Sequence, residues 1–176
     1  MKSVFEIQEI IIQRAKEKGA FIPEIELKVN DDLKSLLLKA IIKDFDNLWR
    51  EKVITVDFLK EYFREKELSA AGIFVEGIHY TTLEDITACG DAVVNDIGCS
   101  TSQCFGHSIV SCIGGTHSAY EHSTIETLSN SIIRAHDSAK VRTGLGCSVV
   151  YTYDNATLIT RSKTVEIRDG KFIIHK

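Results

Sequence analysis

Cysteine and histidine residues are concentrated in one uncharged segment of the sequence. The segment from Gly98 to His122 reads GCSTSQCFGHSIVSCIGGTHSAYEH and contains no charged residue before Glu121. A cysteine beside a histidine can act as a nucleophile when the imidazole takes its proton, and Cys99 and Cys104 are the predicted reactive thiols. So many hydroxyl, thiol and imidazole groups are equally consistent with a cavity lining and with a hydrogen-bonded core.

The same residues also suggest a metal site. Cys99, Cys104 and His107 are residue types that bind zinc or iron, and Cys112 or His117 is available as a fourth ligand. The C-x-x-C spacing of zinc knuckles is absent from the sequence. The sequence therefore leaves a bound divalent metal open as a cofactor, and ranks it slightly below thiol or acid–base chemistry.

A glycine pair marks a candidate anion-binding turn. Gly114, Gly115, Thr116 and Ser118 are expected to lie between a strand and the start of a helix, where unpaired backbone amides bind anions. Arg142 is the predicted cationic contact to the same ligand. The alternative is a capping box, in which Ser118 and the glutamate three residues later satisfy these amides.

Acid–base chemistry is predicted at the first turn of that helix. His117, Glu121 and His122 are expected to converge there, and a neutral histidine beside a carboxylate is a suitable general base. The alternative is that Glu121 only caps the helix and that both histidines are half-exposed. The spacing H-x-x-x-E-H matches neither zincin signature, which argues against a metalloprotease.

Helical periodicity dominates the first 67 residues. Val4, Ile7, Ile11 and Ala15 predict a helix that ends at Gly19. Asn30 is the predicted cap of a second helix and Thr55 of a third. Farther along the chain, helices are predicted over 82–89 and 119–139, and strands over 71–75, 91–97, 108–113, 147–153, 156–161, 164–167 and 172–175.

These elements predict a single α+β domain, with helices over 1–67 packed on a mostly antiparallel sheet within 71–176. Antiparallel pairing is expected because only short connections separate the last strands, with Asp154-Asn155 and Asp169-Gly170 as hairpin turns. The sequence shows no internal repeat at a fixed period.

Composition restricts the classes of partner. The chain of 176 residues is 44% hydrophobic, carries a net charge of −4 and has no basic stripe interleaved with aromatic residues, which argues against nucleic-acid binding. It also lacks an export signal or an apolar stretch suited to a membrane, so a cytoplasmic protein with five free thiols is expected. The uncharged stretch 97–120 favours a homo-oligomer that covers part of it.

Three functions therefore remain open. The first is a cytosolic enzyme that acts on a small anionic metabolite with the Cys, His and Glu residues of segment 98–122. The second is a non-enzymatic, small-ligand-binding regulatory domain, and the third is a structural homo-oligomer subunit. A pocket that contains several of these side chains would favour the first two functions.

Overall fold

The computed structural model of the chain describes residues 2–20, 33–98 and 101–175. The chain divides into two compact units, Met1–Ala71 and Gly72–Lys176. The helices described in the first unit are α1 (Val4–Lys18), α2 (Leu33–Lys43), α3 (Phe45–Arg50), α4 (Val56–Tyr62) and α5 (Glu65–Ala70). No helix among the described residues is long and apolar enough to cross a bilayer.

Local sequence signals set the ends of two helices as predicted. Ser3 and Glu6 form a capping box at the start of α1, and Gly19 ends this helix in the left-handed conformation with φ of 68°. The Thr55 side chain accepts a hydrogen bond from the Phe58 amide at the start of α4. The predicted helix end at Gly19 and the predicted cap Thr55 are confirmed, whereas the predicted cap Asn30 lies outside the described residues.

The second unit is a parallel β-solenoid of two sheets. Sheet A has the order β1-β3-β5-β7-β9-β11-β13-β14, and sheet B has the order β12-β10-β8-β6-β4-β2. The strands are β1 (Ile73–Phe74), β2 (Ile78–Thr81), β3 (Asp85–Ala88), β4 (Val93–Asp96), β5 (Thr101–Cys104), β6 (Ile109–Cys112), β7 (Gly115–Ala119), β8 (Thr124–Thr127), β9 (Ser131–Ala135), β10 (Lys140–Thr143), β11 (Ser148–Thr152), β12 (Thr157–Thr160), β13 (Thr164–Arg168) and β14 (Lys171–His175).

Small and β-branched side chains fill the solenoid interior. Alternate residues of each strand point inward, and the space between two packed sheets is only about 10 Å. The fully buried rows are Val94, Val110, Ile125 and Val141 in sheet B, and Ala88, Cys104, Ala119 and Ala135 in sheet A. Each interior position is therefore filled by side chains of similar size in successive coils.

One corner of the solenoid carries a ladder of rings and carboxylates. Stacked rings follow one another along it, with centroids 4.4 to 5.1 Å apart, in the order Phe105, Tyr120, His136, Tyr153. The residue after each ring adopts positive φ, and the amides of Gly106, Glu121 and Asp137 donate to the carboxylates of Glu121, Asp137 and Asp154, each one coil further on. Each corner is thereby hydrogen-bonded to the next coil.

The predicted α+β class, with helices on a mostly antiparallel sheet, is wrong. Among the described strands only β13 and β14 pair antiparallel, whereas each of the other neighbouring pairs is parallel. Short connections here join strands of different sheets, so they place no constraint on pairing within a sheet. Asp154-Asn155 is such a corner, between β11 and β12. Only Asp169-Gly170, with φ of 50° and 74°, makes the predicted hairpin turn.

The helices predicted over 82–89 and 119–139 are also wrong. The first range contains β3, and the second contains β8 and β9. The repeat itself was missed because the coils differ in length. The register pairs Ile109 with Thr124, Val93 with Ile109, and Lys140 with Thr157, which are 15, 16 and 17 residues apart.

Candidate binding groove

The predicted anion-binding turn is part of a strand. Gly115–Ala119 forms β7, and the Gly115 amide donates to the carbonyl of Asn130 at 3.3 Å. No helix begins here, so the helical amides and the capping box on which the prediction depended do not exist. Thr116 and Ser118 face outward on sheet A, whereas His117 between them is fully buried. The prediction that this segment contacts a ligand remains untested by the strand geometry.

His117 lies in a polar cluster inside the solenoid. Its Nδ1 is 2.9 Å from the Ser102 hydroxyl, and its Nε2 is 3.3 Å from the Cys112 sulfur. Burial lowers the pKa of His117 to about 4, although a backbone hydrogen bond at Gly114 acts in the opposite direction. The imidazole is therefore neutral at pH 7, and both partners can complement whichever nitrogen carries the proton. Sequence proximity alone does not pair Ser102 and Cys112 with this histidine, because the strand register brings them together.

Cys112, a predicted fourth metal ligand, is part of His117's interior cluster, whereas Glu121, His107 and His122 lie elsewhere. Glu121 lies in the ring-and-carboxylate corner, where it accepts a hydrogen bond from the Gly106 amide at 2.6 Å. His122 is exposed and stacks on the exposed His107, with ring centroids 5.3 Å apart. Cys104 is fully buried in the interior. Cys99 lies outside the described residues, and no cluster of three potential ligands among the described ones is suited to a metal.

A groove of about 680 Å³ runs across the outer face of sheet B and the corner that follows it. The register aligns Tyr80, Asn95, Ser111 and Glu126 in one outward row across four successive coils. Apolar side chains of the corner, Ile97, Ile113 and Leu128, are exposed along one side. The lining residues are Tyr80, Thr81, Thr82, Asn95, Asp96, Ile97, Ser111, Cys112, Ile113, Glu126 and Leu128.

Two acidic residues belong to the groove lining, Glu126 in the outward row and Asp96 on the inward face of β4. Glu126 accepts from the Ser111 hydroxyl at 3.3 Å and pairs with Arg142 of the next coil, the predicted anion contact. Asp96 is only 2% exposed; its Oδ1 accepts from the Gly98 amide at 2.6 Å, but its Oδ2 is buried and has no hydrogen-bond partner. Asp96 follows the outward-facing Asn95 on β4 and therefore shares the inward face with Val94, so this oxygen belongs to the solenoid interior.

Comparison with known proteins gives no family for the chain. No protein-family model matches it, and neither does any curated protein or solved structure. The function is therefore argued from the solenoid and its groove.

Proposed function

We propose that the protein is a non-enzymatic binding module that holds a small organic ligand in the sheet B groove. The observation that carries this proposal is the apolar-walled groove of about 680 Å³ on the outer face of sheet B, which Asn95, Ser111 and Glu126 supply with polar groups. This volume lies in the range of roughly 300–1,000 Å³ that small-molecule sites occupy. Apolar walls with a few polar groups are also the usual composition of such sites.

Thiol catalysis has less support than binding. The groove lining includes none of Cys104, His107, His117, Glu121 and His122. The thiol–imidazole pair Cys112 and His117 is buried, and burial disfavours the thiolate–imidazolium form that a cysteine nucleophile needs. The Glu126 carboxylate in the outward row also argues against the anionic ligand expected from the sequence.

Filling the groove is expected to remove ligand binding. In Ser111→Phe, a ring replaces a hydroxyl in the outward row, where the neighbouring coils present Asn95 and Glu126. Two-dimensional NMR of the labelled protein, screened against small organic fragments, should show shifts at strands β2, β4, β6 and β8 in the wild type and none in the variant. The matched control is Ser118→Phe, an outward serine on β7 of sheet A. Fragments that shift other regions only, or that bind Ser111→Phe unchanged, would contradict the proposal.

A second candidate function, a homo-oligomer subunit, is favoured by the apolar row beside the groove. Ile97, Ile113, Leu128 and Leu145 lie at successive corners after sheet B and are all exposed, Leu145 by 91%. Contiguous exposed apolar side chains are typical of protein interfaces. A second copy that packs on this row would cover part of the uncharged stretch 97–120, which is the coverage expected from the sequence.

Sedimentation tests this candidate. The wild type is expected to sediment above its monomer mass of 19.7 kDa, and Leu145→Glu is expected to shift it to the monomer, because it introduces a charge into the apolar row. Leu145 does not line the groove, so ligand binding should remain. Ile132→Glu, at an exposed position of β9 in sheet A, is the matched control. A wild-type monomer at micromolar concentration would exclude the oligomer.

A further inference from the structure

The last strand of sheet A has a free edge. Among the described residues, β14 pairs with β13 on one side and with no strand on the other. Edge strands are usually very short, charged or covered, because their unpaired backbone groups can bind another strand. In β14 three consecutive apolar residues, Phe172, Ile173 and Ile174, are exposed by 75%, 40% and 70%. This edge is therefore open to a further strand.

The hairpin turn determines which backbone groups point to the free edge. A two-residue turn makes its flanking residues, Arg168 and Lys171, a hydrogen-bonded pair, and such pairs alternate along antiparallel strands. Ile173 is therefore bonded to β13, whereas the N–H and C=O groups of Phe172 and Ile174 point away from it. The free edge presents these groups at the spacing that a neighbouring strand uses.

The outer face of sheet A is apolar beside this edge. Phe172 lies opposite Ile167, and Ile174 lies opposite Val165, so all four side chains share the outer face. A further strand would place every second side chain on this face, next to Phe172 and Ile174. The strand that fits is therefore apolar at alternate positions.

Lysine residues lie at both ends of the free edge. Lys171 begins β14, and Lys163 directly precedes Thr164, which pairs with His175 at the other end. Both lysines are exposed, and neither forms an ion pair with a residue that the structure describes. They complement a strand with acidic ends. They also disfavour a second copy, because antiparallel self-pairing about Ile173 would bring Lys171 of one copy close to the Lys163 end of the other.

We propose that β14 binds an extended segment of another protein as an antiparallel ninth strand of sheet A, and that this segment is apolar at alternate positions and acidic at both ends. Backbone hydrogen bonds at Phe172 and Ile174 supply affinity, while the lysines and the outer apolar face supply selectivity. The inference goes beyond the proposed small-ligand function, because β14 does not line the sheet B groove.

The test is an NMR titration of the labelled wild-type protein with three synthetic peptides. They are acetyl-EVTVTE-amide, acetyl-KVTVTK-amide, and the acidic peptide with its four central residues N-methylated, which cannot donate hydrogen bonds to an edge. We expect the acidic peptide to shift the resonances of β13 and β14 and to bind at least tenfold more tightly than either other peptide. Added sodium chloride should weaken its binding.

Amide hydrogen exchange reports the backbone pairing directly. With saturating acidic peptide, exchange at the Phe172 and Ile174 amides should slow at least tenfold, because both become hydrogen-bonded. The Ile173 amide is the internal control and should be unchanged, since it is already bonded to β13.

Two variants separate the backbone contribution from the charge contribution. Ile174→Pro removes an N–H that points to the free edge, a position at which proline is tolerated, and should lower the affinity for the acidic peptide at least tenfold; Ile174→Val should bind it unchanged. Lys171→Glu should reduce the preference for the acidic over the basic peptide. Lys140→Glu, at an exposed position of β10 in sheet B, is its matched control and should leave the preference intact.

Three outcomes would overturn the inference: equal affinity for the acidic and N-methylated peptides, equal affinity for the acidic and basic peptides, or unchanged exchange at Phe172 and Ile174 with the acidic peptide bound. A wild-type dimer that Ile174→Pro converts to a monomer would assign the edge to a second copy and would also overturn it. These peptide measurements are independent of fragment binding in the sheet B groove.

Discussion

Replacing Gly146 with alanine is expected to lower the free energy of unfolding by about 2–3 kcal/mol, in the upper part of the range of roughly 1–3 kcal/mol that overpacking usually costs. Gly146 lies at the corner between β10 and β11. A Cβ at this position would be 2.4 Å from both the Asn130 nitrogen and the Ser129 carbonyl carbon, which are backbone atoms of the preceding coil. These backbone atoms cannot rotate away from the added methyl group, as the end of a flexible side chain could.

Hydrogen bonds on both sides keep the Gly146 corner in place. The adjacent Cys147 amide donates to the Asn130 side chain at 2.7 Å, and the Ser162 hydroxyl of the following coil donates to the Gly146 carbonyl at 2.7 Å. The backbone therefore cannot shift to relieve the clash without breaking contacts to one coil or the other. The full cost of the added methyl group is expected to appear in the folding equilibrium.

Urea denaturation of Gly146→Ala and Gly170→Ala measures the effect. Gly170 is the matched control because nothing lies within 4 Å of its added Cβ, although its φ of 74° is unfavourable for alanine. The control should lose about 1 kcal/mol, the cost of a left-handed residue. Equal losses in the two variants would mean that the coils are not packed at the spacing described.

The helix prediction is correct for α1, where all the sequence signals lie within one continuous segment, and wrong for 119–139, where the apolar residues belong to two strands. The α1 helix combines a capping box, an apolar stripe and a terminal glycine within one continuous segment. Over 119–139 the 3–4 spacing of Ile125, Leu128, Ile132 and Ala135 has another origin. Ile125 and Ala135 point inward from two different strands, Leu128 is exposed at the corner between them, and Ile132 points outward. Because the corner interrupts the alternation of inward and outward residues, the apolar residues of the two strands are spaced three and four positions apart, as they would be in a helix.

The coil repeat left a detectable signal in residue type. A ring or cysteine, then glycine or an acidic residue, a polar residue and finally alanine or serine recur at four-residue segments beginning with Cys89, Phe105, Tyr120, His136 and Tyr153. The glycine or acidic residue adopts positive φ in every case. Unequal coil lengths conceal this pattern from any search at a fixed period.

The groove is harder to predict than the fold. Its outward row, Tyr80, Asn95, Ser111 and Glu126, comes from four coils, and these residues become neighbours only through the strand register. Sequence reasoning instead grouped residues that are close along the chain, and a strand places adjacent residues on opposite faces. His117 and Ser118 therefore point in opposite directions, one into the interior and one outward.

Acid is expected to destabilise the protein through His117. In the unfolded chain this histidine takes up a proton near its ordinary pKa of 6.5, but in the folded protein burial lowers its pKa to about 4. Between these values the unfolded state binds more protons, so the free energy of unfolding falls as the pH falls. Above pH 6.5 the imidazole is neutral in both states and contributes no pH dependence. Over the whole window the loss amounts to about 3 kcal/mol.

A difference measurement isolates this contribution from that of Glu166. Burial alone would raise the pKa of Glu166, but hydrogen bonds from Thr152 and His175 and the charge of Arg168 outweigh it and lower that pKa. Glu166 therefore also destabilises the fold as the pH falls through its folded pKa, in the wild type and in His117 variants alike. Subtracting the two curves removes its effect.

Urea denaturation of the wild type and His117→Gln at pH 7 and pH 4 tests this prediction. The wild type should lose about 3 kcal/mol more than His117→Gln between these pH values, since glutamine retains a donor and an acceptor for Ser102 and Cys112 but does not titrate. The matched control is His122→Gln, which removes an exposed histidine and should follow the wild-type curve. Parallel losses in the wild type and His117→Gln would show that His117 takes up its proton without unfolding, and the buried, neutral imidazole described for the solenoid interior would then be incorrect.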